Sequence, residues 1–211
     1  MPLSLGIASG AGFLKNPAEP RVLGYRVNYI SNPSFEVDTT GWSAVAGATL
    51  ARSTSEFNTG SACLSVTNTN GSAAQFGATG SMIPLIAGEG SYYVSAYVKL
   101  ASGNASANYF IRILQYAEQS SGTTVTSGNV GTINLSYTGE WVRMSGSFTK
   151  NAGANFAVIR VVTGSNNTGE VFYVDSVLLE KSDTLRSYFD GSSNGFWSGT
   201  ANASFSGGTP Y

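Results

Sequence analysis

Histidine is absent from this 211-residue chain, and cysteine occurs only once, at Cys63. The chain therefore lacks the commonest general base and the commonest zinc ligand, and it cannot form an internal disulfide. The Ser–His–Asp and Cys–His arrangements of acyl-transfer enzymes are excluded within it for the same reason. Because Cys63 lies in the apolar run ACLSV, we expect it to be buried as a small hydrophobic side chain.

Charged residues are also scarce. They make up 11% of the chain, against about a quarter in an average domain, and the net charge is -1. Such a chain offers no basic surface to nucleic acid or to anionic lipid, so we predict no nucleic-acid partner. No apolar run is long enough to cross a membrane, and the opening MPLSLGIASG lacks the basic start and continuous apolar core of a signal peptide. We therefore predict no membrane insertion.

The chain is rich in glycine, tyrosine and phenylalanine, with 26, 11 and 11 residues, and Ser, Thr, Asn and Gly separate its short apolar runs. The clearest runs, Tyr92–Leu100 and Tyr109–Ala117, alternate with the period of two that is typical of half-buried strands. Short strands with a turn about every ten residues predict an all-β fold, a sandwich of the jelly-roll type. We expect Gln119–Gly131, which is rich in Ser, Thr and Gly, to be an exposed loop.

Two segments at opposite ends of this pattern each carry a carboxylate of interest. Asn32–Trp42, NPSFEVDTTGW, contains Glu36 and is predicted to be the opening strand. Val171–Glu180, VFYVDSVLLE, contains Asp175 and is predicted to close the sandwich. A sandwich that joins its first and last strands would bring the two carboxylates together, where they repel unless a proton or a cation intervenes. The alternative is a pair of ordinary strand-end carboxylates, one of them bonded to backbone amides.

Composition divides the chain into three parts. Residues 1–28 are predicted to be an extended N-terminal arm, either ordered against a neighbouring chain or a mobile terminus. Residues 29–183 are predicted to form the jelly-roll domain. Residues 184–211, which include Trp197, are too apolar for a free tail, so we predict a β-hairpin extension that packs on the domain or on another subunit.

Five motifs carry a resemblance to a known family. NPSFE with a following GW, then ACLSV, SYYVSAYVK, GEWVRMSGSFT and VFYVDSVLLE occur in this order over residues 29–181. In that order they resemble the calcium-bearing jelly-roll carbohydrate-binding modules that are appended to xylanases. The resemblance implies a structural calcium ion where the first and last strands meet. Its ligands would be the carboxylates of Glu36 and Asp175, with main-chain oxygens around Ser34, Asn58 and Ser61.

The same resemblance implies a glycan-binding face. In such modules, aromatic rings and polar groups on a concave sheet face bind the sugar. The side chains that would form this face are Tyr93, Tyr97, Lys99, Arg112, Tyr116 and Arg160. The alternative is that they cover a second hydrophobic layer or pack against another subunit, because aromatic residues and arginine are enriched at protein interfaces.

A second resemblance lies in residues 188–206, YFDGSSNGFWSGTANASFS. This stretch is similar to the YFDG…W.GT.NAS segment that closes many tail proteins of long-tailed bacteriophages. Together the two resemblances imply a structural protein of the virion, in the tail or its tip, that associates with other virion proteins and with copies of itself. Attachment to glycans on the host surface would be a further role of its carbohydrate-binding-like module. The alternative is a secreted carbohydrate-binding module of a polysaccharide-degrading enzyme. The chain shows no carboxylate pair suited to glycoside hydrolysis, and we predict that it is not an enzyme.

Overall fold

The computed structural model describes residues 25–71, 75–86, 90–101, 107–119, 122–136, 139–164, 167–193 and 195–210. These ranges form β-strands joined by turns and bends, and they contain no helix long and apolar enough to cross a membrane. The strands are β1 (Tyr25–Asn28), β2 (Trp42–Val45), β3 (Ala48–Ser53), β4 (Cys63–Asn68), β5 (Phe76–Gly80), β6 (Ile83–Pro84), β7 (Ser91–Leu100), β8 (Ala107–Tyr116), β9 (Thr124–Leu135), β10 (Val142–Thr149), β11 (Phe156–Thr163), β12 (Val171–Lys181), β13 (Gly195–Trp197) and β14 (Ser206–Pro210).

Two antiparallel sheets make up the body of the fold. The five-stranded sheet has the order β10-β7-β12-β4-β3. The six-stranded sheet has the order β2-β5-β11-β8-β9, with the short β6 also paired to β11. Each sheet turns one face towards a shared hydrophobic core and the other face away from it, which we call its outer face. The predicted all-β sandwich is confirmed.

The core is built from the inward-facing residues of each sheet, which are every second residue along a strand. On β7, Val94 and Val98 are fully buried, as the period of two predicts. Aromatic rings join the two sheets across this core. Phe172 of β12 lies between Phe76 of β5 and Tyr109 of β8, with ring centroids 5.5 and 5.1 Å away. Burial of one such side chain stabilises the fold by about 1.5–3 kcal/mol.

Cys63, at the start of β4, is fully buried and unpaired, as predicted. Burial raises the pKa of its thiol to about 12, and the nearby carboxylate of Asp175 adds to the shift. The thiol is therefore protonated at neutral pH and acts as a packing residue, because the thiolate is the reactive form of cysteine.

The predicted opening strand over residues 32–42 is wrong. The segment bends and turns, and β2 begins only at Trp42. Alternation would place Phe35 and Val37 on one face, yet Phe35 is fully buried and Val37 is 66% exposed. The reason is a left-handed backbone conformation at Phe35, with φ of 58°, and at Asn32, with φ of 51°. The turn directs Phe35 onto the Trp42 ring, with centroids 5.3 Å apart.

The predicted loop over residues 119–131 is also wrong for most of its length. Residues 124–135 form β9, a 12-residue strand that pairs with β8 along nearly all of that strand. Because β9 is the edge strand of its sheet and most of its residues are half-buried or exposed, it needs few apolar residues. Its polar composition therefore lacks the alternation from which the other strands are predicted.

A third, small sheet joins the two ends of the described chain, with β14 between β1 and β13. It is attached to the sandwich through β1. Arg26 donates to both carboxylate oxygens of Glu180 on β12, at 2.9 and 2.8 Å, and the Asn28 amide donates to the carbonyl of Val177 at 3.0 Å. Most of the predicted N-terminal arm, residues 1–24, lies outside the described residues, and Tyr25–Asn28 is β1.

Candidate functional site

The predicted metal ligand Asp175 lies at an irregularity of β12, where the register against β7 shifts. Its side chain is fully buried. One carboxylate oxygen accepts backbone N–H bonds from Asn58 and Thr59, at 2.7 and 2.9 Å, and the other accepts one from Ser176 at 2.6 Å. Burial raises the pKa of Asp175 to about 7 although these N–H groups act to lower it, and the charge of Glu36 raises it further.

Glu36 binds the same turn two residues further along, at Ser61. Its Oε2 accepts bonds from the backbone N–H and the hydroxyl of Ser61, at 2.9 and 2.8 Å. Its Oε1 is buried and has no hydrogen-bond partner among the described residues. Gly60, with φ of +70°, lies against this carboxylate so closely that any Cβ at that position would overlap Oε1. The turn over residues 58–61 therefore holds both carboxylates.

Ser34 differs from the other four predicted metal ligands. Its hydroxyl donates to Asp190 at 2.9 Å, and the hydroxyl of Tyr188 donates to the same carboxylate oxygen at 2.8 Å. The next two carbonyls, of Phe35 and Glu36, accept bonds from Arg52 at 3.0 and 2.7 Å. The structure thus gathers Glu36, Asp175 and the 58–61 turn, while the side chain of Ser34 binds the C-terminal segment.

The residues around this turn fit a hard cation. Glu36 Oε1 has unused acceptor capacity in a buried position, and the two acidic side chains would share the charge of a divalent ion. The described residues contain no group of three or more His, Cys, Asp or Glu side chains that could hold a metal. A cation between these two carboxylates would therefore complete its coordination with backbone, hydroxyl or water oxygens.

The six predicted glycan-binding residues do not share one face, so the predicted single platform is wrong. Tyr93, Tyr97 and Lys99 lie on β7 of the five-stranded sheet. Arg112 and Tyr116 lie on β8, and Arg160 lies on β11, both in the six-stranded sheet. The connection between β7 and β8 crosses from one sheet to the other, so the two outer faces point away from each other.

On the five-stranded sheet, two of the three predicted residues, Tyr97 and Lys99, already have partners within the chain. The guanidinium of Arg143 lies 5.6 Å from the centroid of the Tyr97 ring and donates to the carbonyl of Arg186 at 2.7 Å. Lys99 forms an ion pair with Glu56 at 2.6 Å. The segment that follows β12 thus contacts this outer face near Tyr97, which makes it an intramolecular contact surface.

The outer face of the six-stranded sheet carries a transverse row of polar side chains, which we call the polar stripe. Strand register places its five members opposite one another on adjacent strands, in the order Ser43, Thr79, Arg160, Arg112 and Asn129. With about 4.8 Å between neighbouring strands, the stripe extends about 19 Å across the sheet. Its two ends are exposed, and its three central members are half-buried.

Apolar side chains lie beside the stripe on the same face. Leu114 is paired with Val158, and Tyr116 with Phe156, on β8 and β11. These four residues, which we call the apolar patch, form a cluster separate from the main core, and Met82 packs against it. Sequence reasoning identified Tyr116 but missed Val158 and Phe156. Alternation along β11 could have identified both residues, because the period of two that puts Arg160 on this face also puts Val158 and Phe156 there.

The two arginines at the centre of the stripe are poorly satisfied. The Nε atoms of Arg112 and Arg160 are both buried and have no hydrogen-bond partner among the described residues. A guanidinium nitrogen of Arg112 lies 3.4 Å from Ser127 Oγ, which is a long and weak bond. The hydrogen-bonding capacity of these two guanidinium groups is therefore not fully used within the described part of the chain.

Comparison with known proteins identifies the family of the domain. A profile of the carbohydrate-binding domain family matches residues 27–169. A search of curated protein sequences finds no match. Among solved structures, the C-terminal family 22 carbohydrate-binding module of Clostridium thermocellum xylanase 10B is 21% identical, with a TM-score of 0.60 over 79% of this chain and 100% of that chain.

Two further structures have the same fold. A xylan-binding domain of family 22 is 21% identical, with a TM-score of 0.59 over 78% of this chain and 99% of that chain. The N-terminal part of C. thermocellum endo-1,4-beta-D-xylanase 10B, solved with xylohexaose, is 20% identical, with a TM-score of 0.59. That match covers 75% of this chain but only 29% of the xylanase chain. At these identities the likeness establishes the fold, a jelly-roll β-sandwich.

Proposed function

Because this chain belongs to the carbohydrate-binding domain family, we propose that it binds an oligosaccharide along the polar stripe and the apolar patch. The observation that carries the proposal is the stripe itself, a polar row that crosses the whole outer face of the six-stranded sheet. The role is non-catalytic binding, which agrees with the absence of histidine from the chain.

The chemistry of the face suits a sugar chain. Hydroxyl, amide and guanidinium groups bind sugar hydroxyls, while apolar and aromatic side chains contact the C–H faces of the rings. Asn129, at one end of the stripe, is exposed and makes no hydrogen bond through its side chain within the described part of the chain. Since similar structures are described as xylan-binding and one holds xylohexaose, a xylan-type β-linked glycan is the first ligand class to test.

Isothermal titration calorimetry of the full chain with xylohexaose, followed by a glycan array, tests the proposal. Asn129→Ala removes one hydrogen bond to the sugar and should weaken binding about two- to tenfold. Ser147→Ala is the matched control, because this exposed polar residue lies on the outer face of the five-stranded sheet. If Ser147→Ala weakens binding and Asn129→Ala does not, the site lies on the other sheet. If no glycan binds even when the protein is displayed in many copies, the binding proposal fails.

A structural calcium ion is the second part of the proposal. Glu36 and Asp175 would hold it beside the 58–61 turn, and the ion would relieve the repulsion between these two carboxylates. Calcium at 100 times its dissociation constant should stabilise the fold by about 2.7 kcal/mol relative to chelated protein. Thermal unfolding with calcium and with chelator measures this, and Glu36→Gln should abolish the difference. An equal melting temperature in both conditions, together with no heat of calcium binding, would refute the site.

The biological setting we propose is the tail of a bacteriophage, where copies of the chain associate with one another and with other virion proteins. The similarity of residues 188–206 to phage tail segments supports it. In this segment Asp190 accepts bonds from the backbone N–H groups of Ser192 and Ser193 and from the hydroxyl of Ser34, so the segment packs on the domain. Two of the similar solved structures are parts of xylanase 10B, which supports the alternative of a secreted enzyme module.

Cryo-electron microscopy and mass spectrometry of intact particles distinguish these settings. A chain that projects from the tail with the polar stripe open would support attachment to host-surface glycans. A stripe sealed against another subunit would assign the chain a purely architectural role. Particles without the chain would leave the secreted module as the better explanation.

A further inference from the structure

Two arginines face each other at the centre of the polar stripe. Arg112 of β8 and Arg160 of β11 are direct partners in the antiparallel register. Residues in such positions have Cβ atoms about 4.5–5.5 Å apart, and like charges placed this way destabilise a sheet. A sequence selected for stability alone would avoid this pair, particularly since only 11% of its residues are charged.

Neither arginine has an acidic partner among the described residues. The other members of the polar stripe are neutral, and the apolar patch next to it carries no charge. Three other arginines of the described ranges have well-placed acceptors. Arg26 binds Glu180 and a carbonyl, Arg52 binds two carbonyls, and Arg143 binds a hydroxyl and a carbonyl at 3.0 Å or less. The stripe pair differs from these in having two buried Nε–H groups without acceptors.

Building on the proposed glycan site, we infer that this pair selects an anionic saccharide, one that carries a carboxylate or a phosphate ester. Guanidinium groups bind such oxyanions through paired N–H···O bonds. A bound oxyanion would also supply the negative charge that the two adjacent arginines lack in this sheet. The neighbouring Leu114 and Val158 are only 7% and 9% exposed, so they border the arginine pair but offer a sugar ring little contact area, and the guanidinium groups provide the recognition. A neutral glycan would offer the arginine pair only hydroxyl groups, which form weaker hydrogen bonds with guanidinium than an oxyanion does.

The test compares matched sugars by calorimetry on the full chain. A xylo-oligosaccharide substituted with glucuronic acid is compared with the same compound after reduction of its carboxyl group, and hexagalacturonate is compared with its reduced form. Charge-assisted hydrogen bonds predict roughly ten- to hundredfold tighter binding of the acidic member of a pair. This preference should shrink as salt is raised, because the site is partly open to solvent. Glucuronic acid and glucose 6-phosphate are then tested as competitors of the bound acidic oligosaccharide, with glucose as the neutral reference. The stronger of the two competitors shows whether the site prefers a carboxylate or a phosphate ester.

Arg112→Gln and Arg160→Gln should each remove the preference by weakening binding of the acidic sugar about ten- to hundredfold, while binding of its reduced partner should weaken only about two- to tenfold, the loss expected for one neutral hydrogen bond. Lys150→Gln, which removes one positive charge outside the stripe, is the matched control and should keep the preference. Both arginine variants should unfold at or above the temperature of the parent, because each removes a like-charge contact. A lower unfolding temperature would show that the arginines are structural and would overturn the inference.

The outcomes separate this inference from the proposed function. Equal binding of acidic and reduced sugars, with both weakened by the arginine variants, would show that the pair serves neutral glycans. A preference for the acidic sugar that survives both substitutions would place the anion site elsewhere. Either result overturns the inference while glycan binding stands, whereas loss of binding to every sugar overturns both.

Discussion

The buried ion pair between Arg26 and Glu180 should be the most sensitive link between the small terminal sheet and the sandwich. The guanidinium donates to both carboxylate oxygens at 2.9 and 2.8 Å, and the two side chains are only 11% and 2% exposed. It also donates to the carbonyl of Ser187 at 2.9 Å and lies 4.5 Å from the centroid of the Phe189 ring. One side chain thus contacts β12 and the C-terminal segment together.

Arg26→Met should lower the free energy of unfolding by about 3–5 kcal/mol, because it leaves a buried carboxylate without its counter-charge. For a chain of this size, that corresponds to a fall of about 6–20 °C in the melting temperature. The double variant Arg26→Met/Glu180→Met should recover most of the loss, since apolar side chains of similar volume tolerate the same burial. Urea unfolding with linear extrapolation measures both values.

Lys99→Met provides the matched control. Lys99 pairs with Glu56 at 2.6 Å, but the Glu56 side chain is 35% exposed, so loss of this pair should cost less than about 1 kcal/mol. If Arg26→Met also costs less than about 1 kcal/mol, and the double variant is no more stable than the single one, the reasoning is refuted. The terminal sheet would then be held to the sandwich by other contacts, such as the bond from the Asn28 amide to the carbonyl of Val177, and not by this ion pair.

Two further predictions concern the turn that holds the carboxylates. Gly60→Ala should cost more stability in thermal unfolding than Gly153→Ala, because both glycines have positive φ but only at Gly60 would a Cβ overlap Glu36; equal losses would contradict this contact. The backbone strain common to both should be about 1–2 kcal/mol. In chelated protein, stability should fall by up to about 4 kcal/mol as pH rises from about 4 to about 7, because unfolded Asp175 releases its proton near 3.8 while the folded state holds it to about 7. Asp175→Asn should flatten this slope in urea unfolding measured across that pH range, and an unchanged slope would assign the effect to another group.

Local pattern predicted much of the fold. The strands β7 and β8, and the division of their residues between an inner and an outer face, follow from alternation over the nine residues of each run. The segment over residues 32–42 could not be predicted in this way, because a left-handed conformation at Phe35 breaks the period of two. β9 was missed because an exposed edge strand needs no apolar face. In both cases the backbone follows tertiary contacts that a single-sequence pattern does not contain.

The candidate sites were likewise predicted only in part from the sequence. Glu36 and Asp175 were predicted to lie near each other, and the pKa of Asp175 responds to the charge of Glu36. The glycan face was assembled wrongly, because residues of β7 and β8 were placed together although the chain crosses between sheets after β7. Adjacent strands in sequence often pair in space, but here the long-range partners β10 and β12 flank β7.

The sequence by itself determined the all-β class, the absence of histidine chemistry and the side of each alternating strand that faces the core, because side-chain direction along a strand is a local property. Only the tertiary structure decided which strands share a sheet, since that depends on hydrogen bonds between residues far apart in the chain. The pairing of β8 with β11 places Arg112 opposite Arg160 and completes the polar stripe. No local feature of either strand contains that contact.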